Sequence, residues 1–188
     1  MVVAQENFPR FTPEEYFEWE QKQELRYEYS DGEVYAMSGG TVNHGQIAMN
    51  FGGILTNHLS ESPCRVLSSD VKVEVQKSTK FIYPDLSVTC DDRDRTATNF
   101  ISHPCLIVEV LSPSTEAYDR GEKFYLYWRS NTLKDYVLVN TEKIEITLYK
   151  KDNLGKWEII KYEAGDLVEL ESINLTFSIE QVFRGIRF

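Results

Sequence analysis

Apolar positions along the chain follow two periods, one near 3.6 and one of 2, and the switches between them mark the elements. Thr12-Pro13-Glu14-Glu15 reads as a helix start, with Thr12 as N-cap, Pro13 at the first helical position and Glu15 closing a capping box. The pattern predicts a short helix to about Gln21. Arg26 to Met37 then alternates on both sides of Asp31-Gly32, a hairpin signal. Ser38 to Asn43 is a loop. From about His44 to Leu59 the apolar residues Ile47, Phe51, Ile54, Leu55 and Leu59 keep helical spacing. Gly52-Gly53 inside that helix costs about 1 kcal/mol per glycine relative to alanine, which suggests a close helix contact there.

Three strand-like runs follow: Cys64–Val75, Phe81–Cys90 and Cys105–Ser112. The first alternates, with Asp70, Lys72 and Glu74 on one side and Leu67, Val71 and Val73 on the other. The third is apolar at every position of Leu106 to Leu111 except Glu109, the pattern of a strand covered on both faces. Asp91–Pro104 is polar and reads as a surface loop. A helix is predicted from about Thr115 to Ser130 and a short strand over Asp135–Asn140. An antiparallel meander follows through Ile144–Tyr149, Trp157–Tyr162 and Leu167–Leu170. A last short helix, Ser178–Phe183, opens on the spacing of Ser178 and Gln181. The fold class is α+β: a curved mixed sheet flanked by helices, with an N-terminal hairpin and a C-terminal antiparallel meander. Residues 1–188 read as one domain with a core of about 10–185, since domains mostly run to about 100–200 residues.

Charge and cysteine usage narrow the function classes. The net charge is −10, and residues 1–35 hold nine acidic and three basic side chains. This argues against a protein that coats DNA with a broad basic surface, but not against one that grips phosphate at a single metal-bearing site. Three cysteines, Cys64, Cys90 and Cys105, without close spacing suggest buried thiols in a reducing compartment. The first seven residues lack the pattern of a secretory leader, and no apolar run approaches the roughly 18 residues of a membrane span. A cytoplasmic protein is the expectation. Phosphate-binding, dinucleotide-binding and serine-hydrolase glycine patterns are absent.

Glu109 is the chemical anomaly. A carboxylate inside an apolar strand is costly unless paired or on a metal. Asp85, after Pro84, becomes its neighbour if the two strand runs pair antiparallel. Two such carboxylates can hold Mg²⁺. Taken alone, Glu109 fits an ion pair equally well, and Asp85 fits a turn. Asp70 is either a solvated strand residue or a third site carboxylate. Asp119 and Lys123, four apart, either form an exposed helical ion pair worth about 0.3–0.5 kcal/mol, or Lys123 points back to Glu109. His44, opening its helix after a glycine loop, could face the same site; His58 and His103 read as surface or loop residues.

The order helix–strand–strand–strand–helix–strand, with Pro84-Asp85 on one strand and Glu109 on the next, resembles the PD-(D/E)XK nuclease superfamily. More closely, the chain resembles the Uma-two family of putative restriction endonucleases. The residues that carry this are Tyr29 to Gly40, Asn43-His44, Ser69 to Val73, Tyr83-Pro84-Asp85, and Ile107 to Thr115 through Asp119 to Lys123. The resemblance spans about residues 10 to 185. It implies a restriction-endonuclease-like core and a Mg²⁺- or Mn²⁺-dependent DNA endonuclease. Asp85 and Glu109 would be the metal ligands, Lys123 the stabiliser of transition-state charge, and Asp70 an additional site residue. The superfamily's lysine stands two residues after the glutamate; here that position is Leu111, so the resemblance moves the role to Lys123, with Lys72 next to test. The other reading is a nuclease fold that binds a partner without cutting, which the acidic charge favours. No small-molecule cofactor is expected. Strand edges of the hairpin and meander, and a two-stranded substrate, suggest a homodimer.

Overall fold

The computed structural model describes residues 8–37 and 39–188. The expectation of no leader over residues 1–7, and the part of the predicted loop at Ser38, lie outside them. Helix α1 (Pro13–Glu20) opens with the capping box: Glu15 N–H donates to Thr12 Oγ1 at 3.3 Å, and Thr12 N–H donates to Glu15 Oε2 at 2.7 Å. The hairpin is β1 (Tyr27–Ser30) and β2 (Glu33–Ala36), turned by Asp31 and Gly32 with φ of 49° and 96°. Those left-handed values are what an Asp-Gly turn supplies. Helix α2 (Val42–His58) buries Ile47, Phe51 and Leu55 completely. Each contributes about 1.5–3 kcal/mol by leaving water.

The strands form two large mixed sheets rather than one. The six-stranded sheet has the order β11-β10-β9-β8-β6-β3, where β3 is Arg65–Ser68, β6 Leu86–Thr89, β8 Leu106–Val110, β9 Asp135–Val139, β10 Glu145–Lys151 and β11 Trp157–Glu163. The five-stranded sheet has the order β2-β1-β5-β4-β7, with β4 Lys72–Gln76, β5 Lys80–Ile82 and β7 Phe100–Ile101. Helix α3 covers residues 116–128 as an α turn (Glu116–Tyr118), a π turn (Asp119–Lys123) and an α segment (Phe124–Trp128). Thus α2, β3, β6, β8, α3 and β9 follow in the expected order, with β4 and β5 looped out between β3 and β6 into the second sheet. Strands β12 (Leu167–Leu170) and β13 (Leu175–Ser178) pair at the C-terminal end.

Two predicted strands are therefore corrected. Cys64–Val75 breaks where Val71 N–H bonds to the Ser68 carbonyl, a turn that sends β4 to the other sheet. Phe81–Cys90 breaks at Tyr83-Pro84-Asp85, where Pro84 has no N–H for a ladder and the chain crosses back. The predicted 91–104 loop contributes β7, parallel to β4, and a buried Asp94. The predicted helix at Ser178–Phe183 is a 3₁₀ turn over Ile179–Gln181, after a strand that was not expected.

One core lies between α2, one face of the six-stranded sheet and the β12–β13 pair, around Phe51, Val88, Val108 and Phe177. A second lies on that sheet's other face, under α3, around Ile107, Leu111, Tyr127 and Tyr136. A third joins α1 to the five-stranded sheet through Tyr16, Tyr29, Val34 and Phe81. Gly52 approaches the Leu86 side chain of β6, and Gly53 meets nothing within 4 Å among the described residues. The close contact predicted at this pair is therefore with a strand and involves one glycine. The three-thiol expectation is also corrected: Cys64 and Cys90 are bonded, and Cys105 is free. Their sequence separation of 26 hides that they extend the Arg65↔Thr89 register of β3 and β6 by one step. No helix among the described residues is long and apolar enough to cross a membrane.

Candidate active site

The antiparallel ladder of β6 and β8 pairs Leu86 with Val108, so one further step sets Asp85 opposite Glu109. Opposed residues share a face. Asp85 is held there by its own neighbour: Val110 N–H donates to Asp85 Oδ2 at 2.7 Å. Glu109 alternates with Val108 and Val110, which belong to the α2 core, and so points to the α3 side of the sheet. Its side chain is only 3% exposed.

Helix α3 brings a cation to that carboxylate. Lys123 Nζ lies 2.9 Å from Glu109 Oε1, 3.7 Å from Asp119 Oδ1 and 4.0 Å from Glu28 Oε1. It donates to the Tyr83 carbonyl at 3.3 Å. The contact to Glu109 is an ion pair without hydrogen-bond alignment, and Glu109 Oε1 has no hydrogen-bond partner. The widened π turn carries Asp119 and Lys123 inward together, both buried. Such turns are rare and concentrate at functional sites. Glu28 comes from β1 in the other sheet and accepts from Tyr83 N–H at 3.0 Å. The Tyr83 peptide thus stands between Glu28 and Lys123. His44, near the start of α2, lies 3.4 Å from Asp85 Oδ2 through Nε2. These groups line an open cleft of about 310 Å³, with Tyr35, Thr115 and Tyr118 at its walls.

The charges do not balance, and the titrations follow. Burial, with Asp119 and Asp85 close by, pushes the Glu109 carboxyl well up, against the pull of Lys123. Burial likewise raises Glu28 and Asp119, each opposed by Lys123. Burial alone would depress the Lys123 ammonium, but Glu109, Glu28 and Asp119 together outweigh it and raise it. The hydrogen bond to Asp85 raises His44. The cleft therefore holds more acid than cation, and its carboxyls hold their protons more tightly than free ones do.

Asp85, Glu109 and Lys123 share this cleft, and Asp70 does not. Asp70 sits in the turn between β3 and β4, its side chain 71% exposed and 2.8 Å from Arg26 Nη1. Lys72 serves another cluster, 2.6 Å from Glu20 Oε2, and Glu20 Oε1 accepts from the Tyr83 hydroxyl at 2.7 Å. Of the other two histidines, His103 is held by buried Asp94 at 3.0 Å, and His58 Nε2 meets the Ile173 carbonyl at 2.9 Å. Sequence reasoning missed Glu28, because an acid alternating with Tyr27 and Tyr29 reads as a solvent-facing position. It treated Asp119 only as a helical partner of Lys123.

Three comparisons place the chain among known proteins. The uncharacterized protein slr1290 of Synechocystis sp. (strain ATCC 27184 / PCC 6803 / Kazusa) is 48% identical over 181 residues, covering 96% of this chain and 95% of its own length. A second uncharacterized protein of that strain, sll1609, is 26% identical over 173 residues, covering 91% and 96%. The crystal structure of a putative nuclease belonging to DUF820 from Anabaena variabilis ATCC 29413 superposes with a TM-score of 0.75. It covers 93% of this chain and 98% of its own at 17% identity, which is a likeness of fold. The profile of the Uma2 family matches residues 13–180, almost the whole described structure, and with it the chain belongs to that family of putative restriction endonucleases.

Proposed function

We propose that this protein is a divalent-metal-dependent endonuclease that hydrolyses phosphodiester bonds in DNA. The observation that carries the reading is the facing pair Asp85 and Glu109, one of them buried, at the wall of an open cleft with a buried lysine. The donor set fits Mg²⁺ or Mn²⁺. Asp85 and Glu109 offer hard carboxylate oxygens, Glu109 Oε1 meets only the Lys123 ammonium, at 2.9 Å, and the surrounding acid is in excess. Among the described residues no group of three or more His, Cys, Asp or Glu could hold a metal ion by itself, so with two carboxylates from the chain, water and phosphate oxygens would have to complete the shell of Mg²⁺.

When bound, the ion supplies Lewis-acid polarisation of the phosphate and a more acidic water. The chain's own residues do the rest. Asp85 and Glu109 would hold the ion, and Val110 N–H and His44 fix the Asp85 carboxylate. Once the carboxylates are neutralised, Lys123 can turn its charge to the phosphate, where negative charge builds as the bond breaks. Glu28, Asp119 and the Tyr83 carbonyl keep its ammonium charged and aimed into the cleft. A second reading, a nuclease fold that binds without cutting, is favoured by the net charge of −10, which repels long DNA outside a focused site.

Plasmid nicking in Mg²⁺ and Mn²⁺ separates the two. Cleavage should require the metal and disappear in Asp85→Asn, Glu109→Gln and Lys123→Ala, while Asp70→Asn stays active. Mn²⁺ should raise the melting temperature of the wild type but not of Asp85→Asn or Glu109→Gln. If the protein cleaves neither duplex nor single-stranded DNA and Mn²⁺ leaves its melting temperature unchanged, the nuclease reading falls and the non-cutting one stands.

A further inference from the structure

We propose that Cys64, Cys90 and Cys105 form a thiol–disulfide exchange site, in which Cys105 attacks Cys90 and moves the bond from Cys64–Cys90 to Cys90–Cys105. The three lie apart along the chain but at one end of the six-stranded sheet. Cys64 stands just before β3, Cys90 just after β6 and Cys105 just before β8. Cys64 and Cys90 are bonded. The Cys105 Sγ lies 3.8 Å from the Cys90 Sγ, and its thiol donates to the Val88 carbonyl at 3.4 Å. A disulfide holds its sulfurs about 2.05 Å apart, so Cys105 has roughly 1.8 Å to close.

Strand order supplies the direction of attack. In the run β8-β6-β3 the middle strand carries Cys90, with Cys105 on one side of it and Cys64 on the other. Entering and leaving thiols therefore flank the central sulfur, as displacement at sulfur requires. The Cys105 thiolate forms the new bond while the Cys64–Cys90 bond breaks. The electron pair of the broken bond leaves on Cys64 Sγ, which takes up the proton that Cys105 gave to solvent. Two sulfurs stay oxidised throughout, so neither an oxidant nor a reductant is consumed. Cys90, shared by both bonds, is the exposed one of the three, and a low-molecular-weight thiol or disulfide can reach the same sulfur from solvent.

The two bonds hold different strands. β3 is an edge strand paired with β6, and the Cys64–Cys90 bond latches it. The Cys90–Cys105 bond unlatches β3 and ties β6 to β8, the ladder that sets Asp85 opposite Glu109 at its other end. Burial, with the Asp135 carboxyl adding to it, pushes the Cys105 thiol up to about 11. Little of it is thiolate at neutral pH, so exchange is slow there and quickens about tenfold for each pH unit of rise towards that value. The proposal does not depend on the nuclease reading.

Peptide mapping of the full chain tests it. Trypsin cuts after Arg65, Lys80, Arg93 and Arg95, which puts the three cysteines on three peptides. The protein, isolated without reductant, is held at pH 7 and at pH 9 with iodoacetamide and then digested. Label should collect on Cys64 and leave a linked Cys90–Cys105 peptide, about a hundredfold faster at pH 9 than at pH 7 and at a rate independent of protein concentration. Cys105→Ser and Cys105→Ala, with unchanged far-UV spectra, should keep Cys64 linked to Cys90 and unlabelled. Label confined to Cys105 beside an intact Cys64–Cys90 peptide would overturn the proposal. So would labelling of Cys64 that persists in the Cys105 variants, or immediate label on all three cysteines, which would leave no bond to move.

Discussion

Replacing Lys123 by methionine keeps the length of the side chain and removes the ammonium shared by Glu109, Asp119 and Glu28. Breaking a buried ion pair from one side costs about 3–5 kcal/mol, because a charge is left buried without its partner. At roughly 2–4 °C per kcal/mol for a chain of this size, the melting temperature should fall by about 6–20 °C. The loss should depend on pH, with a definite sign. All three carboxyls already titrate above their ordinary values. Between the ordinary value near 4.3 and the raised one, the folded chain holds protons that the unfolded chain releases, so stability falls as pH rises. Removing the ammonium raises these carboxyls further and widens the window. The deficit of Lys123→Met should thus be small near pH 4.5 and full near pH 8, as read by thermal melting across that range. Mn²⁺ should restore part of the loss at the upper end. A drop below about 2 °C at pH 8, or one of equal size at both ends, would refute the buried-cluster account and return Lys123 to a helical pair worth a few tenths of a kcal/mol.

Two other outcomes follow from the same structure. His44 is raised by its bond to Asp85, so its contribution is complete below the ordinary histidine value near 6.5 and lost as pH rises through the folded one; His44→Ala should cost stability at pH 5.5 and nothing at pH 9, and equal costs by urea titration would contradict this. Cys64→Ser opens a disulfide loop with a separation of 26, which should lower stability by about 3 kcal/mol; an unchanged melting temperature, with and without reductant, would show that the bond does not form in solution.

Local chemistry was legible from the chain wherever one element decided it. The capping box of α1, the Asp31-Gly32 turn, the inner stripe of α2 and the apolar run around Glu109 all rest on residues within a few positions of each other. Antiparallel pairing of the runs holding Asp85 and Glu109 was enough to make them neighbours. What escaped depended on which sheet a strand joins. Alternation looks the same whether a strand continues or crosses to another layer, so it runs unbroken through Ser69 and Pro84. Asp70 was accordingly set on a strand, when it occupies the crossing turn beside Arg26. Glu28 escaped for a related reason: its carboxylate meets Lys123 from the helix and the Tyr83 N–H from the crossing segment, contacts that alternation along β1 does not display. The Cys64–Cys90 bond needed a register between strands that no single stretch displays.

The cleft takes its acids from separate layers: Glu28 from the five-stranded sheet, Glu109 from the six-stranded sheet and Asp119 from the helix above them. The Tyr83 peptide ties these layers together, because its chain passes from one sheet to the other while its hydroxyl is anchored on Glu20. Repulsion among the acids therefore acts across the seam between layers and pushes them apart, while Lys123 works as a clasp. The protonation state of the cleft becomes a mechanical load on the fold. Whatever neutralises those carboxylates tightens the seam, so the segment from β5 through Asp85 should exchange its amide hydrogens more slowly when the cleft is charged with a cation than when it is empty.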